Sequence, residues 1–357
     1  MSTNQHQRPR TSEINIDIGI LDKGDHNSIT DVSEVKVGHV TLISGQGRLN
    51  PGHGPTRTGI SVILPHSGNI YRQKVTASTF ALNGFGKAVG FMQIGELGTI
   101  ESPIALTSTL NTWRVADYMI DYLHELNPEV HSFNPVVVEC NDWFLNDGIG
   151  RHVNNNHFME AINNSCSPNI EEGNVGAGTG MTAFGWKAGI GTSSRLCESP
   201  YSKYTVGVLA LCNMGDPRDL RIGGVPIGNF IKPPGIYDES GGSIAIIIAT
   251  DAPLTARQLN RMARRASVGL SKVGGMLSHA SGSFSIAFSN SREKPNIDDS
   301  HMSILFRGVA EATEEAIVNS ILRAETISGR DDNTRHAIPV DQILDIIDKH
   351  YRALKNL

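Results

Sequence analysis

The chain has 357 residues, a net charge of −5, and 39% hydrophobic against 19% charged residues, the composition of a folded globular protein and not of a disordered one. No sustained basic run exists, which argues against a nucleic-acid partner: Arg257, Arg261, Arg264 and Arg265 interleave with Leu259, Met262 and Ala263 at helical spacing and read as a solvated helix face. Four cysteines without a C-x-x-C pair argue against a disulfide framework or zinc cluster, and the polar N-terminal stretch and the lack of any apolar run near about 20 residues make a cytoplasmic, non-membrane protein the expectation.

Residues 1–29 read as a polar, loosely attached arm, and 30–357 as a single domain. A strand is expected over 35–42, a Gly-, Pro- and His-rich loop over 45–58, and a short strand over 60–64, stopped by Pro65. Between Asn83 and Gly98 lie Gly84, Gly86, Gly90, Gly95 and Gly98, a density that suits short strands and turns rather than a helix. The first helix is expected over 113–126, with Ala116, Met119, Ile120 and Leu123 on one apolar stripe widened by Val115, Tyr122 and Leu126. Val136, Val137 and Val138 form a buried strand that runs into Glu139. A second strand over 205–212 ends at Asn213, and the strongest strand of the chain is 243–249.

The best helix is expected over 255–272. Thr255 and Gln258 make a capping box with Leu254 as a staple, and Leu259, Met262, Ala263, Ala266 and Leu270 form the core face. A strand over 283–288 and amphipathic helices over 313–324 and 340–354 follow. Strands and helices cluster instead of alternating, which favours layered sheets covered by helices over a doubly wound parallel sheet.

Three strand ends carry chemistry. Glu139 is either an ion-paired or capping carboxylate or an anionic site for a cationic ligand group, with Asn141 adding an acceptor. Asn213 is either a turn former or an amide donor aimed at a developing oxyanion. Ser281, in the small polar run 278–283, is either part of a turn or a group that relays protons near a nucleophile. Gly242-Ser243 is the junction that draws these together. Glycine before a strand is ordinarily a turn. A chain cut between Gly242 and Ser243 would give Ser243 both a hydroxyl and a free α-amine, nucleophile and base in one residue. Such an amine titrates at about 7.7–8.0, so a useful fraction is unprotonated at neutral pH.

Other motifs carry less. The run 173–180 lacks the Gly-Lys-Ser/Thr ending of a phosphate loop, and the 13 histidines show no metal-ligand spacing, so neither cofactor nor metal is expected. His152, near Asp147 and Arg151, reads as structural.

A series of distinct blocks nevertheless stands in order along the chain: Ile29-Thr30-Asp31-Val32 with Val37-Gly38-His39-Val40, Arg57-Thr58-Gly59, Asn83-Gly84-Phe85-Gly86-Lys87, and Glu96-Leu97-Gly98-Thr99-Ile100-Glu101. They continue through Leu145-Asn146-Asp147 with Gly150-Arg151-His152-Val153, Gly173-Asn174-Val175-Gly176, Gly178-Thr179-Gly180-Met181, and Gly242-Ser243-Ile244 leading to Ala249-Thr250-Asp251-Ala252-Pro253-Leu254. In these blocks, from roughly residue 29 to residue 318, the chain resembles the DmpA-type aminopeptidases, also called the L-aminopeptidase/D-esterase or β-peptidyl aminopeptidase family.

The resemblance implies an α+β, four-layer αββα sandwich like the N-terminal nucleophile hydrolases but differently connected. It implies self-cleavage into 1–242 (α chain) and 243–357 (β chain), and tetrameric assembly. By position it makes Ser243 the nucleophile, Asn213 the oxyanion donor, Ser281 the assisting serine, Glu139 and Asn141 the holders of the substrate amine, and Trp143 a pocket wall. The expected substrates are small peptides, amides or esters with a free amine. Family members carry an acidic residue where this chain has Ser283, and many carry glycine where it has Ala177. Two rival readings are an acyltransferase of the ornithine acetyltransferase type, whose nucleophile is threonine, and a non-catalytic binding member of the family.

Overall fold

A computed structural model describes residues 8–199, 202–235 and 242–355. In chain order its strands are β1 Lys36–Ser44, β2 Thr56–Leu64, β3 Val75–Gly84, β4 Ala88–Val89, β5 Thr99–Ile100, β6 Ile104–Ser108, β7 Val136–Cys140, β8 Thr182–Ala183, β9 Trp186–Lys187, β10 Ile190–Ser199, β11 Ser202–Asn213, β12 Ser243–Thr250, β13 Gly282–Ser289, β14 Ile327–Ser328 and β15 Thr334–Arg335. Its helices are α1 Phe91–Leu97, α2 Thr112–Leu126, α3 Asn155–Asn163, α4 Ala256–Lys272, α5 Met302–Leu322 and α6 Val340–Lys355.

Two sheets stack face to face. One has the order β1-β2-β6-β7-β4, the other β10-β11-β12-β13-β3-β5. Helices α2 and α3 cover the outer face of the first, and α4 and α5 cover the outer face of the second. The expected αββα layering is therefore what the chain builds. β12 shows why. All eight of its residues are buried. Ile244, Ile246 and Ile248 join the core under α4 and α5, with Leu259, Met262 and Ile317. Ala245, Ile247 and Ala249 join the other core, with Val62, Leu106 and Val137. A strand covered on both faces needs an unbroken apolar run, and its two-residue period divides that run between the cores.

Four expectations change. Residues 8–29 are not a loose arm: Ile16 and Ile18 are buried, Thr11 donates to Glu315, and the backbone N–H groups of Ile20 and Leu21 donate to Glu311. Their polar character answers carboxylates buried on α5. The glycine-rich stretch 83–98 contains a helix after all, because Gly90 (φ 89°) and Gly98 (φ 67°) cap α1 in left-handed conformations instead of interrupting it. On α2 the buried stripe is narrower than expected, with Ile120 and Leu126 exposed. Helix α5 begins at Met302, eleven residues before the expected start, and from Gly308 to Leu322 it is buried all round, not amphipathic as expected. Strand β10 and helix α3 were not foreseen.

Candidate active site

The site is assembled where three strands of the inner sheet meet. β11 and β12 are antiparallel, with Asn213 opposite Ser243. β12 and β13 are parallel, with Ser243 beside Gly282. Ser243 opens its strand and is 8% exposed, and its Oγ accepts the Gly282 N–H at 3.3 Å. Gly242 is sterically required. A Cβ there would sit 2.6 Å from Met214 Cα, so no other residue fits without moving backbone. Gly241 lies outside the described residues.

Ser243, Gly242, Asn213, Asn141 and Trp143 line one cavity of about 260 Å³, together with Phe144, Thr182, Met214 and Arg335. Asn213 is held in one orientation. Its Oδ1 accepts the Thr182 N–H at 3.0 Å, which fixes Nδ2 as the other end of the amide, and Nδ2 donates to Asn141 O at 2.9 Å. An amide nitrogen carries two hydrogens, so one remains for a ligand. The Thr182 N–H is itself positioned by Lys187. The Lys187 Nζ, fully buried, donates to Gly178 O at 3.0 Å, Met181 O at 2.8 Å and Ala188 O, which uses all three ammonium hydrogens and pins the loop that carries Thr182. Burial lowers the Lys187 pKa well below its ordinary value, and the Asp142 charge pulls it the other way.

The remaining expected residues stand around this cavity. Ser281 and Ser283 bond each other, Oγ to Oγ, at 2.6 Å, and both are buried. They face a neighbouring recess that shares Gly242, Met214 and Gly215 with the first cavity and adds Asp216 and Asp219. Glu139 is 2% exposed and is not among the described residues that line the Ser243 cavity. One of its oxygens accepts the Lys87 N–H at 3.0 Å and lies 3.8 Å from Lys87 Nζ. The other accepts the Thr109 hydroxyl. Asn141 turns its own Oδ1 back to the Trp143 N–H at 3.0 Å. Trp143 is 56% exposed, with the Arg330 guanidinium 4.2 Å from its ring. His152 bonds Asp147 at 3.1 Å, away from the described lining of the Ser243 cavity, in keeping with a structural role.

Four residues that matter here carried no sequence signal strong enough to single them out. Asp142, buried beside Asn141, accepts from Thr58 Oγ1 at 2.5 Å and from Asn146 Nδ2 at 3.0 Å, and burial raises its carboxyl to about 7. Lys187 shows only as a cation between Trp186 and Ala188. Thr182 acts through its backbone, which no side-chain pattern reveals. Arg335 reaches the site from a distant hairpin.

The fold and the sequence are shared with known proteins. Residues 27–335 match the model of peptidase family S58. The chain belongs to peptidase family S58. It is 41% identical over 351 residues to the β-peptidyl aminopeptidase BapA of Sphingosinicella xenopeptidilytica, covering 90% of this chain and 87% of that one. Among solved structures it matches the PH0078 protein of Pyrococcus horikoshii OT3 with TM-score 0.90 and 49% identity, covering 96% of this chain and 99% of that one. It also matches the L-aminopeptidase D-Ala-esterase/amidase of Ochrobactrum anthropi with TM-score 0.87 and 30% identity, covering 97% and 99%. The latter is described as a prototype for the serine aminopeptidases and a new variant among the Ntn hydrolase fold. As an S58 member the chain is a hydrolase of the serine aminopeptidase class, and its fold is that Ntn-like variant.

Proposed function

We propose that this chain activates itself by breaking the Gly242–Ser243 bond and then works as an aminopeptidase on short peptides, amides or esters with a free amine. The observation that carries the reading is the placement of Ser243 at the mouth of β12, inside a cavity, opposite an asparagine amide whose orientation is fixed. In the first reaction Ser243 Oγ attacks the Gly242 carbonyl carbon, its proton passes to the Ser243 nitrogen, and the C–N bond breaks to leave an ester. Water then hydrolyses that ester to a Gly242 carboxylate and a free Ser243 amine.

In turnover the freed amine accepts the hydroxyl proton as Oγ attacks the substrate carbonyl. The oxyanion takes the remaining Asn213 Nδ2 hydrogen. Collapse expels the leaving amine, which receives the proton held by the Ser243 ammonium, and water releases the acyl group by the same base. Ser281 precedes Gly282, the ladder partner of Ser243, and in this proposal it and Ser283, which bond each other, take the place of the family's serine–acid pair. Glu139 is the anchor for the substrate ammonium. Its contact with Lys87 Nζ is long, at 3.8 Å, and that lysine side chain is partly exposed, so an incoming ammonium can replace it.

Likeness to relatives named β-peptidyl aminopeptidases brings β-aminoacyl groups within the proposed substrate range. A cytoplasmic, homo-oligomeric enzyme is part of the same proposal. No helix among the described residues is long and apolar enough to cross a membrane.

Intact-mass measurement of purified protein tests the reading. Two fragments, 1–242 and 243–357, and hydrolysis of aminoacyl p-nitroanilides are expected, with both lost in Ser243→Ala. A chain that stays whole while turning over substrate rules it out.

A further inference from the structure

The proposed amine anchor already faces an ammonium. The Glu139 side chain is 2% exposed, the Lys87 side chain is 38% exposed, and Lys87 Nζ stands 3.8 Å from Glu139 Oε1. At that separation the two make a charge contact and not a hydrogen bond. Among the described residues Lys87 Nζ has no second partner. The carboxylate is also only partly used. Oε1 accepts the Lys87 N–H at 3.0 Å and Oε2 accepts the Thr109 hydroxyl. A carboxylate offers about four acceptor positions, so room for an ammonium's own hydrogen bonds remains.

The root of Lys87 is fixed close to the nucleophile. A Cβ built on Gly86 would stand 3.1 Å from Glu139 Oε1 and 3.1 Å from Gly282 Cα, so the carboxylate and the ladder partner of Ser243 abut the same face of one glycine. The Phe85 N–H donates to Ser281 O at 3.2 Å and Asn83 Nδ2 donates to Ser278 O at 2.7 Å, which ties the segment to the turn carrying Ser281. The Lys87 backbone is therefore held on Glu139, while its charged head is loosely held at the end of a flexible stem.

An ammonium tethered in this way competes with any ligand ammonium as if it were present at a concentration on the order of mM. A simple amine offers Glu139 little more than Lys87 already supplies. An aminoacyl substrate adds a second hold, its carbonyl at Ser243 and Asn213, and can displace the lysine. Resting on the aminopeptidase reading above, we infer that Lys87 is a specificity residue, a displaceable cation that keeps simple amines off Glu139 and yields the carboxylate to aminoacyl substrates. Between turnovers it leaves the buried carboxylate with a countercharge.

Three compounds test this on the processed protein at constant ionic strength: alanyl p-nitroanilide, propionyl p-nitroanilide, which lacks the amine, and ethylammonium chloride as an inhibitor. Lys87→Met keeps most of the stem and removes the charge. It is expected to lower KM for the alanyl compound by about tenfold, with a smaller change in kcat, and to lower the inhibition constant of ethylammonium by a similar factor. The propionyl compound should show no such fall in KM. Lys87→Arg should raise KM for the alanyl compound, because a guanidinium can meet the carboxylate with two parallel hydrogen bonds. That variant retains the charge and carries the test should the Met variant fail to fold.

A KM for the alanyl compound that is unchanged or raised in Lys87→Met overturns the assignment while leaving the aminopeptidase reading standing. So does ethylammonium inhibition equal in the Met variant and the wild type, or a KM in Lys87→Arg equal to that of the wild type. Wild-type protein that hydrolyses the propionyl compound as well as the alanyl one overturns the amine anchor of the aminopeptidase reading and this inference with it.

Discussion

Asn213 stands directly opposite Ser243 across the β11–β12 ladder, and its Oδ1 is occupied by the Thr182 N–H. The amide nitrogen, bonded to Asn141 O, is therefore the end that keeps a spare hydrogen in the cavity shared with Ser243. Asn213→Ala is expected to lower kcat by about 10²–10³, with a much smaller change in KM, and to slow self-cleavage as well. Asn213→Asp keeps the acceptor for Thr182 and removes the donor, so it should fall at least as far. Steady-state kinetics on an aminoacyl p-nitroanilide checks both, and a kcat within threefold of wild type for either would remove Asn213 from the oxyanion site.

Lys187 acts at one remove. Replacing it by Met leaves three buried carbonyl oxygens without their donor, so roughly 3–5 kcal/mol of stability is expected to go. The loop bearing Thr182 should loosen with it. At a temperature where the variant stays folded, kcat should drop more than KM changes, and denaturant melts together with kinetics read the two effects separately.

Asp142 gives the protein a pH dependence. Its carboxyl is raised to about 7 by burial, far above the ordinary aspartate value in an unfolded chain. Between about pH 4 and 7 the unfolded chain releases this proton while the folded one keeps it. Stability from this group is therefore full in acid and is lost as pH rises through that window, by roughly 4 kcal/mol at most. Asp142→Asn should flatten the stability profile over that range and make the protein more stable than wild type at pH 8. Urea melts at pH 4.5, 6 and 8 measure it, and a parallel pair of profiles would refute the assignment.

The four cysteines divide by burial. Cys140, Cys197 and Cys212 are buried, and burial pushes Cys197 and Cys212 up to about 12 and Cys140 well above its usual value. Cys166 is exposed. Iodoacetamide at pH 8 should label Cys166 alone in the native protein and all four after denaturation, which peptide mapping resolves.

Much of this site was legible because strand ends announce themselves. Apolar runs that stop at Glu139, Asn213 and Ser243 place three polar groups at the edges of buried strands, and the folded chain aligns two of them as ladder partners. Helix α4 was equally plain, since Thr255 and Gln258 form the expected capping box. What stayed hidden depends on long-range partners. The all-round burial of α5 was hidden, because Glu311, Glu314 and Glu315 read as a solvated face but are buried and neutralised by distant groups, among them Arg195 and Lys272. β10 carries Thr192, Ser193, Ser194 and Arg195 inside the core, where their bonds to Glu172, Asn27, Asp31 and Glu311 make them acceptable. Glu139 shows the reverse limit. Its place at a strand end was readable, but its contacts with Lys87 and Thr109 were not.

The buried acids of α5 also decide how a severed chain would behave. Glu311 and Glu315, on the C-terminal side of the proposed break, grip Ile20, Leu21, Asn27 and Arg195 on the other side. β12 is at the same time stitched to β11 along its whole length. Scission at 242–243 would therefore yield two polypeptides woven through each other, a single particle that no dilution separates and only denaturant unpicks.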